Sequence, residues 1–129
     1  MRGSKEVVEL WFSKADDDEL NIKSILKHRD GTPSAACFLS QQMAEKYLKG
    51  LLVFEKNELF KTHHLIRLKE IISDVVPDIN MIHNEASILN DYYIETRYPG
   101  DFPEFTWNDA EKAYEAAARI KEFVLGKIR

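Results

Sequence analysis

Between Ser34 and Lys56 the apolar residues Ala36, Leu39, Met43, Tyr47, Leu48, Leu51 and Phe54 recur at intervals near three and four, which gives a helix with one broad apolar face. That face must be covered, and the rest of the chain offers only helices to cover it. No stretch shows sustained period-two alternation, and no Asn-Gly or Asp-Gly pair joins two apolar runs. Val8, Trp11, Ala15, Ile22, Ile25 and Leu26 fall close to a helical stripe over about 5–29, and Asp30-Gly31-Thr32-Pro33 supplies a stop and a restart. Gly50, inside the second helix, marks a close approach by a neighbour. Thr62 is placed to cap a shorter helix carrying Leu65, Leu68, Ile71 and Ile72, which ends at Val76 because a residue before proline is pushed out of the α region. A fourth helix is predicted over 79–96 and a last one over 110–128, the latter opened by Thr106 and Asp109 as a capping-box variant. The intervening RYPGDFPEF, 97–105, holds two prolines and a glycine and reads as a loop. The predicted fold is all-α: an up-and-down four-helix bundle with one additional short helix, in a single domain over 1–129.

Charge and apolar runs narrow the function. A formal net charge of −4 and a pI near 5.6 argue against general nucleic-acid binding, which shows as a basic excess, while leaving room for a local basic groove. The longest uncharged apolar run, Gly50 to Phe54, falls far short of the roughly 20 residues that span a bilayer. With a single cysteine, Cys37, no internal disulfide is possible, and no charged-then-apolar segment opens the sequence; a reducing, cytoplasmic setting is the expectation. Apolar neighbours make Cys37 an inert core thiol.

The polar residues of the second helix form an ordered file. Gln41, Glu45 and Lys49 follow one another at i+4, and Gln42 and Lys46 run beside them. Spacing alone favours an ordinary solvated face. Asp18 falls on or beside the apolar stripe of the first helix, where a carboxylate needs either water or a basic partner. Of the histidines, His63 and His64 adjoin Thr62 at a predicted helix start, a place that favours anions, so His63 is a candidate for lining a phosphate pocket. Neither HxxxH nor a Cys/His ligand spacing is present, and no metal or other cofactor is expected. Arg97, close to Tyr92, Tyr93 and Tyr98, is either a cation complementing a helix dipole or a guanidinium for phosphate with phenol rings for stacking. No glycine-rich phosphate loop, nucleophile elbow or metalloprotease motif occurs, so no catalytic residue is assigned.

In order along the chain, Trp11-x3-Ala15-x2-Asp18, the segment CFLSQQMAEKYLKGLL, the THHLIRL turn at 62–68 and RYPGDFPEFT at 97–106 resemble the HEPN family of small helical bundles. The resemblance implies a bundle that usually forms a homodimer and works beside a small nucleotidyltransferase, in some cases as a toxin–antitoxin pair. In such pairs the bundle contributes nucleotide or substrate binding without catalysis of its own. It would place Gln42, Lys46 and their neighbours along a polar cleft or dimer seam, faced by Asp18 and Arg97. Arg97 would contact phosphate, Lys46 and Lys49 would support it, and Tyr98 would stack. A second branch consists of metal-independent endoribonuclease toxins marked by an Arg followed after four to six residues by a His. Here Phe102, Pro103 and Glu104 occupy those positions after Arg97, and no other arginine has a His at that spacing, which sets the ribonuclease reading second. A purely structural interaction protein is the third reading. His64 stands where many relatives have an acidic residue.

Overall fold

The computed structural model describes residues 3–93 and 104–129. Helix α1 spans Lys5–His28 and α2 Pro33–Lys56; α3 covers Leu65–Ser73, a 3₁₀ helix Pro77–Ile82, α4 His83–Asn90 and α5 Trp107–Ile128. The all-α bundle expected from periodicity is the one formed. Long α2 lies at its centre, packed along α1 on one side and α5 on the other, while α3, the 3₁₀ helix and α4 close over the remaining flank. Because α1 and α2 are long, adjacent and joined only by residues 29–32, they run antiparallel.

The joints follow from local chemistry. Arg29 takes a left-handed conformation at φ 57° to end α1, Gly31 follows at φ 85°, and Thr32 then accepts a hydrogen bond from the Ala35 amide at 3.1 Å with Pro33 at the first helical turn. The Arg29 guanidinium lies 4.6 Å from the centre of the Trp107 ring and 2.7 Å from Glu111, which fastens the end of α1 to the start of α5. Thr106 and Asp109 form the reciprocal capping box read from the sequence.

Two boundaries differ from expectation. The cap of α3 is His64 and not Thr62: His64 Nδ1 accepts from the Arg67 amide at 3.4 Å, and the Thr62 hydroxyl turns back to accept from the His64 amide at 3.2 Å. The helix predicted over 79–96 is divided. Asn80 donates from its side chain to the Pro77 carbonyl at 3.1 Å, and the His83 amide bonds the Asn80 carbonyl three residues back, so the chain enters as a tight 3₁₀ helix before α4 begins. Among the described residues the long helices are α1, α2 and α5, and α4 ends at Asn90. The remainder of that prediction, 94–96, and the loop over 97–103 lie outside the described residues.

Leu48, Leu51, Leu52, Leu68, Ile72 and Leu89 are fully buried at the junction of the helices, and α5 presents Ala113, Ala116 and Ala117, small enough for close approach. Cys37 belongs to this core, and burial pushes its thiol up to about 11, which keeps it protonated. Gly50 is the contact point between α1 and α2: a β-carbon there would come within 2.5 Å of the Phe12 ring. At the other flank, Glu19 receives Lys121 at 2.6 Å and the Tyr114 hydroxyl at 2.8 Å, joining α1 to α5. Burial raises the Glu19 pKa, but these two hydrogen bonds, with the charges of Lys121 and Lys23, outweigh it and hold it below the usual 4.5. Burial, then the bond to Glu19, pushes Tyr114 up to about 12.

Two outcomes follow. Gly50→Val should destabilise the fold by about 2 kcal/mol or more through overpacking. In a Phe12→Ala background that extra loss should shrink, as denaturant unfolding of all four variants would reveal. A carboxylate held below its unfolded pKa contributes stability that is complete above pH 4.5 and disappears as pH falls through the lower folded value. Glu19→Gln should thus melt a few degrees below the wild type at neutral pH, and thermal melts should show the gap closing as pH falls below 4.5.

Candidate functional site

Helix α2 carries its polar residues into two different places. The row Gln41, Glu45 and Lys49 is buried at 0, 4 and 6% exposure, so it is not the solvated face that spacing suggests. The reason lies in the coverage: Trp11 of α1 lies over the Lys49 end, with Nζ 5.7 Å from its ring centre, and the turn at His63 covers the Gln41 end. Within the row, Lys49 donates to Glu45 at 2.9 Å and Gln41 donates to Glu45 at 3.3 Å. Gln41 also donates to the His63 carbonyl at 3.1 Å. The imidazole Nδ1 of His63 lies 3.1 and 3.0 Å from the two Glu45 oxygens, and its ring stacks on Tyr93 with centroids 4.5 Å apart.

The second row turns toward α1. Asp18 is buried and meets Lys46 at 2.6 Å, which supplies the basic partner its position demands. Tyr47 beside it is buried, and its hydroxyl donates to Asp16; burial first and this bond second hold the phenol well above its ordinary range, so it stays a donor. Gln42 donates to Gln41 at 2.9 Å and links the rows.

A cavity of about 340 Å³ opens where α3 begins and α4 ends, lined by Lys61, Thr62, His63, His64, Asn90 and Tyr93. His63 is therefore at a cavity, but not beside free helix amides. The Leu65 amide donates to Asn90 Oδ1 at 2.7 Å and the Arg67 amide to His64, so side chains already occupy donors that an anion would use. Lys46 and Lys49 are each engaged by a carboxylate and do not line this opening; among the described residues the cation lining the cavity is Lys61. Arg97 and Tyr98 lie outside the described residues. Lys61 and Asn90 were not singled out by spacing, since neither belongs to a motif; both reach the cavity only because α3 folds back toward the end of α4. Among the described residues no three His, Cys, Asp or Glu side chains converge as a metal site, and no helix is long and apolar enough to cross a membrane.

The model of the HEPN domain matches residues 8–128. The chain belongs to the HEPN family. The solved structure of an archaeal HEPN homologue is similar over 100% of both chains, with 31% sequence identity and a TM-score of 0.74. No curated protein matches the chain.

For this HEPN bundle the buried Glu45–Lys49 pair sets a clear energetic expectation. Removing one member strands the other charge, whereas removing both leaves a neutral interior. Lys49→Met should cost about 3 kcal/mol, and Glu45→Gln combined with Lys49→Met should recover part of that loss in chemical denaturation.

Proposed function

We propose that this HEPN chain is a non-catalytic nucleotide-binding module that acts with a separate small nucleotidyltransferase, as a homodimer and as one half of a toxin–antitoxin pair. The observation that supports it is the cavity at His63. An imidazole backed by a buried carboxylate, an aromatic ring stacked on it, an amide side chain at Asn90 and an ammonium at Lys61 together match what a nucleotide offers: hydroxyls, a planar base and phosphate. On this reading Lys61 takes the supporting role toward phosphate first expected of Lys46 and Lys49, and Arg97 and Tyr98 remain candidates from the sequence alone.

One observation favours the endoribonuclease as a second reading. The Arg-to-His spacing is absent from the sequence, yet His63 paired with Glu45 is an imidazole of the kind general acid–base cleavage requires. Incubation of the purified protein with RNA in chelator separates the readings, since cleavage abolished by His63→Ala would replace binding with catalysis.

The binding reading predicts that AMP titrated into the protein shifts the amide resonances of 61–64, and that His63→Ala weakens the affinity roughly tenfold or more while the protein stays folded. Recovery of the tagged protein from its host at moderate salt should bring down a small nucleotidyltransferase in stoichiometric amount. Saturation without shifts at 61–64 would place the nucleotide elsewhere and overturn the assignment of the cavity.

A further inference from the structure

Among the described residues, every hydrogen-bond contact of Glu45 comes from a donor or from His63. Lys49 Nζ and Gln41 Nε2 can only donate, and a carboxylate can only accept. His63 Nδ1, within 3.1 Å of both oxygens, completes the set as a hydrogen bond when it carries the ring proton. Three restraints then act on one residue: Glu45 on the inner edge of the ring, Tyr93 on its face, and Gln41 on its backbone carbonyl. Nearly half of the His63 side chain, 47%, stays exposed, and with Nδ1 turned inward the outer edge is the one bearing Nε2.

We propose that Glu45, braced by Lys49 and Gln41, is a positioning residue that fixes neutral His63 as the Nδ1–H tautomer and so presents Nε2 to the cavity as a hydrogen-bond acceptor for a sugar hydroxyl of the ligand. The proposal rests on the nucleotide reading above and refines it. A phosphate oxygen is itself an acceptor and is the wrong partner for that nitrogen; phosphate belongs at Lys61, and His63 reads the sugar. Lys49 also acquires a definite task. It is buried at Glu45, outside the cavity lining, and its charge favours the ionised carboxylate whose two oxygens both face Nδ1.

The consequence is specific. In Glu45→Gln the amide has one acceptor and one donor end. A buried ammonium beside the NH₂ group costs more than two amide groups facing each other, so the carbonyl keeps the place of Oε2 at Lys49 and the NH₂ group takes that of Oε1, 3.1 Å from Nδ1 and 3.3 Å from Gln41. Nδ1 then faces one acceptor and one donor where it faced two acceptors, so the preference for Nδ1–H is lost and Nε2–H gains population. The double variant, Glu45→Gln with Lys49→Met, removes the stranded ammonium and keeps the mixed donor and acceptor pair. A role confined to packing predicts no change of tautomer.

The test is a long-range ¹H–¹⁵N correlation spectrum of the imidazole nitrogens in the ligand-free protein at pH about 8, above the ordinary histidine pKa, followed by AMP titration of each variant. The wild type should show Nδ1–H, and Glu45→Gln, alone and with Lys49→Met, should show a gain of Nε2–H with AMP affinity lowered several-fold. A wild type with the proton on Nε2 overturns the proposal without recourse to any variant. A gain of Nε2–H with unchanged AMP affinity overturns it as well. If the tautomers behave as stated but AMP does not bind the wild type, the nucleotide reading and the ligand half of the proposal fall, while the positioning of His63 by Glu45 is upheld.

Discussion

The Glu45 carboxylate is the charge around which the polar half of this bundle is arranged. Its burial would cost several kcal/mol if it stood alone, and it is stabilised because Lys49, Gln41 and His63 all converge on two oxygens. Two of those partners come from the same helix one turn above and below. The third comes from the turn before α3, so the carboxylate also determines where that turn sits. Since buried ion pairs seldom add net stability over apolar side chains of equal volume, a leucine-like row at 41, 45 and 49 would hold α2 in the core as well. What such a row could not do is hold an imidazole by one nitrogen, and the polar row is best understood from that difference.

A similar logic, without the cavity, governs the opposite flank. Asp18 with Lys46, and Glu19 with Lys121 and Tyr114, pin α1 against α2 and α5 through partly exposed pairs. These contacts are screened and individually modest. Their value is in register: a carboxylate facing a specific ammonium fixes how far α1 slides along its neighbours, as the Phe12 ring seated over Gly50 also does. Acidic α1 and the lysines of α2 and α5 therefore act as alignment marks, which accounts for Asp16, Asp18 and Glu19 within the acidic run 16–19.

The long helices were legible because periodicity and caps agreed at α1, α2 and α5: the left-handed turn at Arg29, Thr32 before Pro33, and the box at Thr106 and Asp109 all lie within a few residues of the stripes they bound. The division of the fourth helix was not legible, because it depends on Asn80 bonding the Pro77 carbonyl, a choice between two local hydrogen-bond patterns that apolar spacing does not report. The site divides in the same way. The i+4 file of Gln41, Glu45 and Lys49 was visible as a file, but its burial was decided by Trp11 and by the His63 turn, distant in sequence. Lys61 and Asn90 carried no signal, being single polar residues whose importance comes from where α3 and α4 end. His63 was reached by a partly mistaken route, since the helix amides invoked for an anion are met by Asn90 and His64.

Because α2 supplies both the centre of the core and the brace behind His63, binding and folding are coupled through one element. Any ligand that contacts His63 in the folded state stabilises that state by mass action, by about 2.7 kcal/mol at a hundredfold excess over its Kd. A short line of contacts leads from His63 into the core: His63 meets Glu45, Glu45 holds Lys49, and Lys49 lies over Trp11 of α1. Because α2 packs along both α1 and α5, a ligand at His63 would bear on both seams through that one helix.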